Sequence, residues 1–291
     1  VKIKHKLIII GALVLVGFVG LYVQNTVNQN TLAKMVSISG NLQNIESLML
    51  QLRRSEKDFL LRLDAKYLAS FNQTANKISP ILAHLQKELH EIDIPPGKTP
   101  NIETKIEKYR AKFEELVNES VIKGLDKDSG SYGTLRQATH QLEEVLSSNN
   151  NLQAQVYLLT LRRHEKDFML RDDEKYLGRL IAVSKQLNNL LPDAKSKQLL
   201  STYLTEFEEL VSISKNIGLD SKSGIRGDMR NIIHSVEEDL NTEIPRINQQ
   251  VQDKRRANQL TGIAVTLVLS TIVFVAVVVV AKQILNPLET F

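Results

Sequence analysis

Two long, uncharged runs of apolar residues are the features that most restrict how this chain folds. Leu7–Val23 contains 17 residues and Leu260–Ala281 contains 22, with no charged side chain in either. A helix crosses the hydrocarbon core of a bilayer with about 20 apolar residues, and the lower limit is near 17. The sequence therefore predicts a membrane-embedded protein with two transmembrane helices, at residues 7–23 and 260–281.

The first run is short enough for a cleaved signal peptide to be the alternative. Three lysines among residues 1–6 suit both interpretations, but no small-residue cleavage site follows Val23. The missing cleavage site leads us to expect an uncleaved anchor, and its lysines would hold residues 1–6 in the cytoplasm. Two spans then place residues 24–259 outside the cytoplasm, and residues 282–291 return to it. In a bacterium, this makes residues 24–259 a periplasmic region on the inner membrane.

A cluster of cations opposes this orientation. Lys254, Arg255 and Arg256 come just before the second run, and cations near a span favour the cytoplasmic side. Long loops, however, are translocated largely regardless of their charge. We therefore keep the prediction that residues 24–259 lie outside.

The composition excludes several classes of protein. The chain has no cysteine, so it has no disulfide and no cysteine-based metal site. Its net charge of +4 is modest and it has no Lys/Arg-rich block, so we expect no nucleic-acid partner. It contains no glycine-rich phosphate loop, no His-Glu-x-x-His and no nucleophile elbow, so we expect no catalysis and no cofactor.

Residues 24–259 contain a duplicated unit. The segments LRRSEKDFLLRLDAKYL, from Leu52, and LRRHEKDFMLRDDEKYL, from Leu161, are identical at 13 of 17 positions. Two later segments, from Tyr109 and from Tyr203, share Phe-Glu-Glu-Leu-Val, then Gly-Leu-Asp-x-x-Ser-Gly, then Arg-x-x-x-His-x-x-Glu-Glu. Two copies of one helical unit therefore fill this region.

The scarcity of Gly and Pro and the apolar periodicity predict helices almost throughout. We expect them from the membrane to about Arg62, at roughly 65–92 and 101–123, from about 134 to 171, in a short stretch after Pro192, and from near Gly227 into the second span. Gly124–Gly133 and Gly218–Gly227 predict turns. Ser147–Asn151 is polar enough for a turn or for an exposed helix face. Helices this long bury their apolar faces against one another, as in a bundle.

A carboxylate interrupts the apolar stripe at the same place in both copies. Glu56 and Glu165 fall on the core-facing side, and each has an arginine three residues earlier (Arg53, Arg162) and a lysine one residue later. A core-facing carboxylate needs a cation, and this spacing supplies one. The pattern suits either a buried ion-pair layer that fixes the register of the helices or a pocket in which arginines bind an anion.

Arg230, in the last helix, extends the candidate site. Helix lengths allow it to reach the same layer as Arg53 and Arg162. The candidate ligand-binding residues are therefore Arg53, Glu56, Arg162, Glu165 and Arg230.

Matching histidines follow the repeated arginines by four residues. We expect His140 and His234 to lie on a helix surface or in the core rather than to bind a metal. The acidic pairs that follow them, which begin at Glu143 and Glu237, are expected to be solvated.

Two spans around a duplicated helical region resemble the helical bimodular sensor domain of methyl-accepting chemotaxis receptors and of some sensor kinases. The tail from Gln283, Gln-Ile-Leu-Asn-Pro-Leu-Glu, is similar to the start of the HAMP linker that follows the second span of such receptors. The resemblance covers the whole chain. It implies an all-α fold with two transmembrane helices and two stacked antiparallel four-helix bundles that share long helices.

The resemblance also implies a function. Family members bind small organic acids through arginines, for which the matching positions are Arg53, Arg162 and Arg230. The chain departs from the carboxylate-sensing pattern at Glu56, where a second arginine is expected. The resemblance further implies a homodimer and a signalling module after Phe291 that acts on a cytoplasmic chemotaxis kinase and its adaptor. The alternatives are the sensor of a two-component histidine kinase, a receptor that docks a periplasmic binding protein, and a purely structural bundle.

Overall fold

All regular elements in the described part of the chain are α-helices. The structure, a computed structural model, describes residues 3–149 and 151–285. The helices in chain order are α1 (Ile3–Arg62), α2 (Lys66–Glu91), α3 (Thr99–Lys123), α4 (Gly130–Ser148), α5 (Leu152–Arg171), α6 (Lys175–Asn188), α7 (Ala194–Ile217) and α8 (Gly224–Leu285). Two of them, α1 and α8, are long and apolar enough to cross a membrane, and the most apolar parts of both are almost entirely exposed. The all-helical class is thus confirmed, and both predicted spans lie within helices of suitable length and composition.

Some predicted features lie outside the described residues. Asn286–Glu289, which carry most of the resemblance to the HAMP linker, come after the last described residue, Leu285. The first two residues of the predicted cytoplasmic segment 1–6 also lie outside the described ranges.

The predicted long helix from 134 to 171 is wrong, and the alternative of a turn at Ser147–Asn151 is correct. Helix α4 ends at Ser148 and α5 begins at Leu152. The side-chain oxygen of Asn151 accepts a hydrogen bond from the backbone N–H of Ala154 at 3.1 Å. This bond satisfies one of the free donors at the start of α5, which is why a polar residue marks the boundary.

The two glycine-rich turns are shorter than predicted, because α4 and α8 begin at Gly130 and Gly224. Gly124 and Gly218 start the turns with φ angles of +114° and +115°. A Cβ atom at Gly218 would lie 2.1 Å from the carbonyl oxygen of Ser223. Only glycine fits this backbone, which explains why both copies keep it. Helix α7, expected to be short, has 24 residues.

One of two compact units contains the candidate spans. It comprises the chain through Ile45, Ile81–Thr99, and the chain from Asn241 onward. Apolar side chains of α1, α2 and α8 form its core, and these include Ile38, Leu42, Leu85, Leu89, Ile247 and Val251.

Glycines bring the two candidate spans close together in this unit. A Cβ atom at Gly17 would lie 3.3 Å from a side-chain methyl of Val273, and one at Gly20 would lie 3.4 Å from a methyl of Leu269. Small residues allow two helix backbones to approach in a membrane, where packing rather than the hydrophobic effect holds helices together.

The other unit comprises Glu46–Pro80 and Pro100–Leu240. Within it, α4, α5, α6 and α7 pack around one hydrophobic core. Contacts also join parts of α1, α2, α3 and α8. The ring of Phe59 packs edge-on against Phe113 at 5.6 Å, and Phe71 lies 5.3 Å from Tyr109.

Each of these two sets of helices combines residues from both repeat copies. By sequence, α4 ends the first copy, but it packs with α5, α6 and α7 of the second copy. Conversely, α8 ends the second copy, and its Glu237 and Asp239 pair with Arg53 of α1 and Lys105 of α3. The two copies therefore exchange their fourth helices. The stacking of two antiparallel bundles stays a prediction.

Candidate functional site

The repeated arginines form ion pairs with acids that the sequence did not place at the candidate site. Arg53 of α1 donates a hydrogen bond to Glu237 of α8, and Arg162 of α5 donates one to Glu143 of α4. The side chains of Glu143 and Glu237 are 32% and 31% exposed. The expectation of solvated acidic pairs is correct for Glu144 and Glu238, which are exposed, but Glu143 and Glu237 are partly buried ion-pair partners of the arginines.

The repeated glutamates are buried and bound by tyrosines. The hydroxyl of Tyr109 donates to Glu56, and that of Tyr203 donates to Oε2 of Glu165 at 3.0 Å. The lysine after each glutamate donates to the other oxygen, at 2.9 and 2.6 Å. The prediction that a flanking cation binds each carboxylate is confirmed for the lysine one residue later and wrong for the arginine three residues earlier. Both tyrosines begin the second repeated segment, and this is the sequence signal that could have identified them.

The hydrogen bonds from Tyr109 and Tyr203 lead us to expect a loss of stability at high pH. Burial, reinforced by the adjacent glutamate, raises the pKa of Tyr109 and of Tyr203 above the ordinary value of 10.0. The folded protein therefore keeps protons that the unfolded chain loses above pH 10. The contribution of each tyrosine to the free energy of unfolding is fully present below pH 10. Above that pH it falls by about 1.4 kcal/mol per pH unit for each tyrosine.

Urea unfolding of the full chain between about pH 9 and pH 11 measures this slope. The Tyr109→Phe/Tyr203→Phe variant should lose stability less steeply over the same range. Equal slopes in the parent protein and in this variant would contradict the raised pKa of the two tyrosines.

Three of the five predicted site residues line one pocket. Arg53, Glu56 and Arg230 border a cavity of about 180 Å³ in the second unit. Its other lining residues are Lys57, Leu60, Ser221, Arg226, Ile233 and His234. The walls therefore come from α1, from α8 and from the turn that precedes α8. The other two candidates, Arg162 and Glu165, occupy the repeat-equivalent positions in the α4–α7 set.

Two arginines of this pocket have no acidic partner. In the part of the chain that the structure describes, no carboxylate lies within ion-pair distance of Arg226 or Arg230. Arg226 donates to the carbonyl oxygen of Gly218, and Arg230 to the hydroxyl of Ser221, both at 3.3 Å. Their guanidinium groups therefore retain donors for a bound anion.

The repeat-equivalent place in the α4–α7 set has different chemistry. Tyr132 replaces Arg226 there. Lys166 donates to the Tyr132 hydroxyl at 2.9 Å and lies 5.0 Å from the centre of its ring. A cation of this set is thus bound by an aromatic side chain. Arg226 was not among the predicted site residues, because the two copies share no residue at this position; the difference between the copies is the signal that identifies it.

The histidines differ in burial. His140 and His234 are about half exposed, and their Nδ1 atoms lie 3.3 and 3.2 Å from Glu143 and Glu237. The buried His164 has its pKa lowered by desolvation. Within residues 3–149 and 151–285, no group of three or more His, Asp or Glu side chains is arranged to hold a metal ion.

Comparisons of this chain with protein-family models, with curated proteins and with solved structures found no match.

Proposed function

We propose that this chain is the sensory part of a bacterial transmembrane receptor that binds a small organic anion. Residues 7–23 and 260–281 would anchor it in the inner membrane as a homodimer, with residues 24–259 in the periplasm. The two sets of four helices would form the stacked bundles of a helical bimodular sensor. The length and apolar surface of α1 and α8 support the anchoring.

One observation carries the proposal: the walls of the anion pocket belong to the two helices that contain the candidate spans. Arg53 lies on α1, and Arg226 and Arg230 lie in the first turns of α8. An anion bound between them would stabilise one relative position of α1 and α8. Packed helices switch by shifts of about 1–2 Å. The anion would bias this equilibrium by its differential affinity for the two positions.

The charges of the pocket favour a dicarboxylate. Arg53, Lys57, Arg226 and Arg230 are four cations, and two carboxylates, Glu56 and Glu237, offset them. Two positive charges remain, on the arginines that have no acidic partner. The volume of about 180 Å³ is below the roughly 300–1,000 Å³ of pockets for drug-sized ligands. A dicarboxylic acid of a few carbon atoms matches both properties.

The output of this receptor would be a shift of α8, passed through a HAMP linker to a cytoplasmic chemotaxis kinase and its adaptor. The resemblance of the tail from Gln283 supports this step.

Arg226→Ala and Arg230→Ala should each weaken binding of the dicarboxylate roughly 10- to 100-fold, because each removes a charge-assisted hydrogen bond worth about 1.5–3 kcal/mol. A thermal-shift screen of the full chain in micelles against organic acids, amino acids and amines first identifies the ligand, because binding to the folded state raises Tm. Titration calorimetry then gives the affinities.

The repeat provides the matched control. Arg136 is the counterpart of Arg230 in the α4–α7 set, so Arg136→Ala removes the same group from the same repeat position. It should leave the affinity within about twofold, because Arg136 is not among the residues that line the pocket. Unchanged affinity in both Arg226→Ala and Arg230→Ala, or an equal loss in Arg136→Ala, would contradict the site.

A further inference from the structure

A groove between α1 and α8 lies at the boundary between the candidate spans and the rest of their unit. It has a volume of about 560 Å³. Its lining residues are Leu21, Gln24, Asn25, Asn28, Gln259, Gly262, Ile263, Thr266 and Leu267. A smaller cavity of about 120 Å³ shares Asn28 and Gln259 with it and is bordered by Arg255. The two cavities are therefore adjacent, and we treat them together as one groove.

The polarity of this groove changes along the helices. Leu21, Ile263 and Leu267 form an apolar wall within the predicted spans. Side-chain amides follow, from Gln24, Asn25, Asn28 and Gln259, and then the guanidinium of Arg255. An acyl chain, ester carbonyl groups and a phosphate occur in this same order in a phospholipid. Amide N–H groups donate to carbonyl oxygens, and arginine donates two parallel hydrogen bonds to a phosphate.

The cations before the second span supply the charge for such a ligand. Lys254 pairs with Asp93 at 3.2 Å. Arg255 and Arg256 are exposed, and neither has a carboxylate within ion-pair distance in the described ranges. These are the residues that oppose the predicted orientation of the chain. Binding of an anionic ligand on the side of the membrane where they lie would explain why these cations are present at this boundary.

We propose that this groove binds an anionic phospholipid. Its phosphate lies against Arg255, and the exposed Arg256 next to it in sequence adds positive charge nearby. Its glycerol esters lie along the amides, and one acyl chain covers Leu21, Ile263 and Leu267. A free phosphate ion would use only the arginines and leave the apolar wall exposed. The proposal concerns a site other than the Arg53 pocket and does not depend on it.

The chain has no tryptophan, so an introduced one is a unique fluorophore. Ile263→Trp places it on the apolar wall of the groove. The full chain is reconstituted in phosphatidylcholine vesicles that contain a brominated quencher lipid, either phosphatidylglycerol or phosphatidylcholine. Each cation near the surface contributes roughly a fivefold preference for an anionic lipid, so two give about 25-fold. We expect stronger quenching by brominated phosphatidylglycerol at equal mole fraction.

Arg255→Gln/Arg256→Gln should reduce this preference to near one. Lys282→Gln removes one charge at the other end of the second predicted span and should leave the preference unchanged. Equal quenching by the two lipids in the parent protein would overturn the proposal. So would a preference that survives the double substitution.

Asn28→Phe distinguishes binding of the lipid in the groove from its general attraction to a positively charged surface. It fills the groove and leaves both arginines in place, so a groove-bound lipid should be displaced and the preference lost. A preference that persists in Asn28→Phe, in protein with unchanged helical content by circular dichroism, would overturn the groove. Displacement of the brominated lipid by millimolar inorganic phosphate would likewise show a site for free phosphate instead.

Discussion

Phe168→Ala is expected to lower the free energy of unfolding by about 3–5 kcal/mol, the range for removal of a fully buried phenylalanine. Phe168 is completely buried in the core of α4, α5, α6 and α7. Its ring packs edge-on against Phe207 at a centroid distance of 5.6 Å. The substitution removes both the buried apolar area and this ring contact, and a close-packed core closes the cavity only in part.

Urea unfolding of the full chain in micelles, followed by circular dichroism, measures the change. Leu170→Ala is the matched control, because it removes a large apolar side chain from the same helix where that side chain is 79% exposed. It should change stability by less than about 0.5 kcal/mol. Similar losses in Phe168→Ala and Leu170→Ala would show that the α5 faces are assigned incorrectly.

The helices and their approximate ends follow from local sequence, because apolar periodicity and turn residues act over a few neighbouring positions. Predicted and observed ends agree within a few residues at Arg62, Glu91 and Lys123. The break after Ser148 was harder to predict. The polar run there suits an exposed helix face as well, and only the cap formed by Asn151 decides between the two.

The pairing of helices could not be predicted, because it depends on contacts between residues far apart in the chain. The repeat predicts two similar units, but the exchange of the fourth helices is equally compatible with the sequence. This exchange places Glu237 of the second copy beside Arg53 of the first. An acid of one copy therefore becomes the ion-pair partner of an arginine of the other.

Within the candidate site, the sequence predicted the polar layer and the lysine next to each buried glutamate, but not the other partners. The arginine three residues before each glutamate was expected to bind it, as was the lysine one residue after it. Tyrosines bind Glu56 and Glu165 in place of the arginines, so the arginines pair with other acids. Both earlier interpretations of this layer thus have a physical basis. The glutamate–tyrosine pairs suit a register-fixing layer, and the arginines of α1 and α8 suit an anion pocket.

Tyr109→Phe combined with Tyr203→Phe is expected to destabilise the protein by about 3–6 kcal/mol. Each substitution removes a hydrogen bond to a buried carboxylate, worth about 1.5–3 kcal/mol. The two pairs have no residue in common, so their effects should add. The rings remain in place, so the loss reports on the hydroxyl groups rather than on packing. Urea unfolding at neutral pH measures the change.

A second substitution tests whether the loss comes from the buried carboxylate. Glu165→Met alone leaves the hydroxyl of Tyr203 without its acceptor and should cost about 1–3 kcal/mol. Glu165→Met with Tyr203→Phe leaves neither group unpaired and should recover most of the stability, because replacing both partners of a buried polar pair by apolar groups is often neutral. Strictly additive losses in this cycle would contradict a direct Glu165–Tyr203 bond. Recovery of stability together with loss of a single register between α5 and α7, seen as exchange broadening in NMR spectra, would identify the pair as the element that fixes how these helices align.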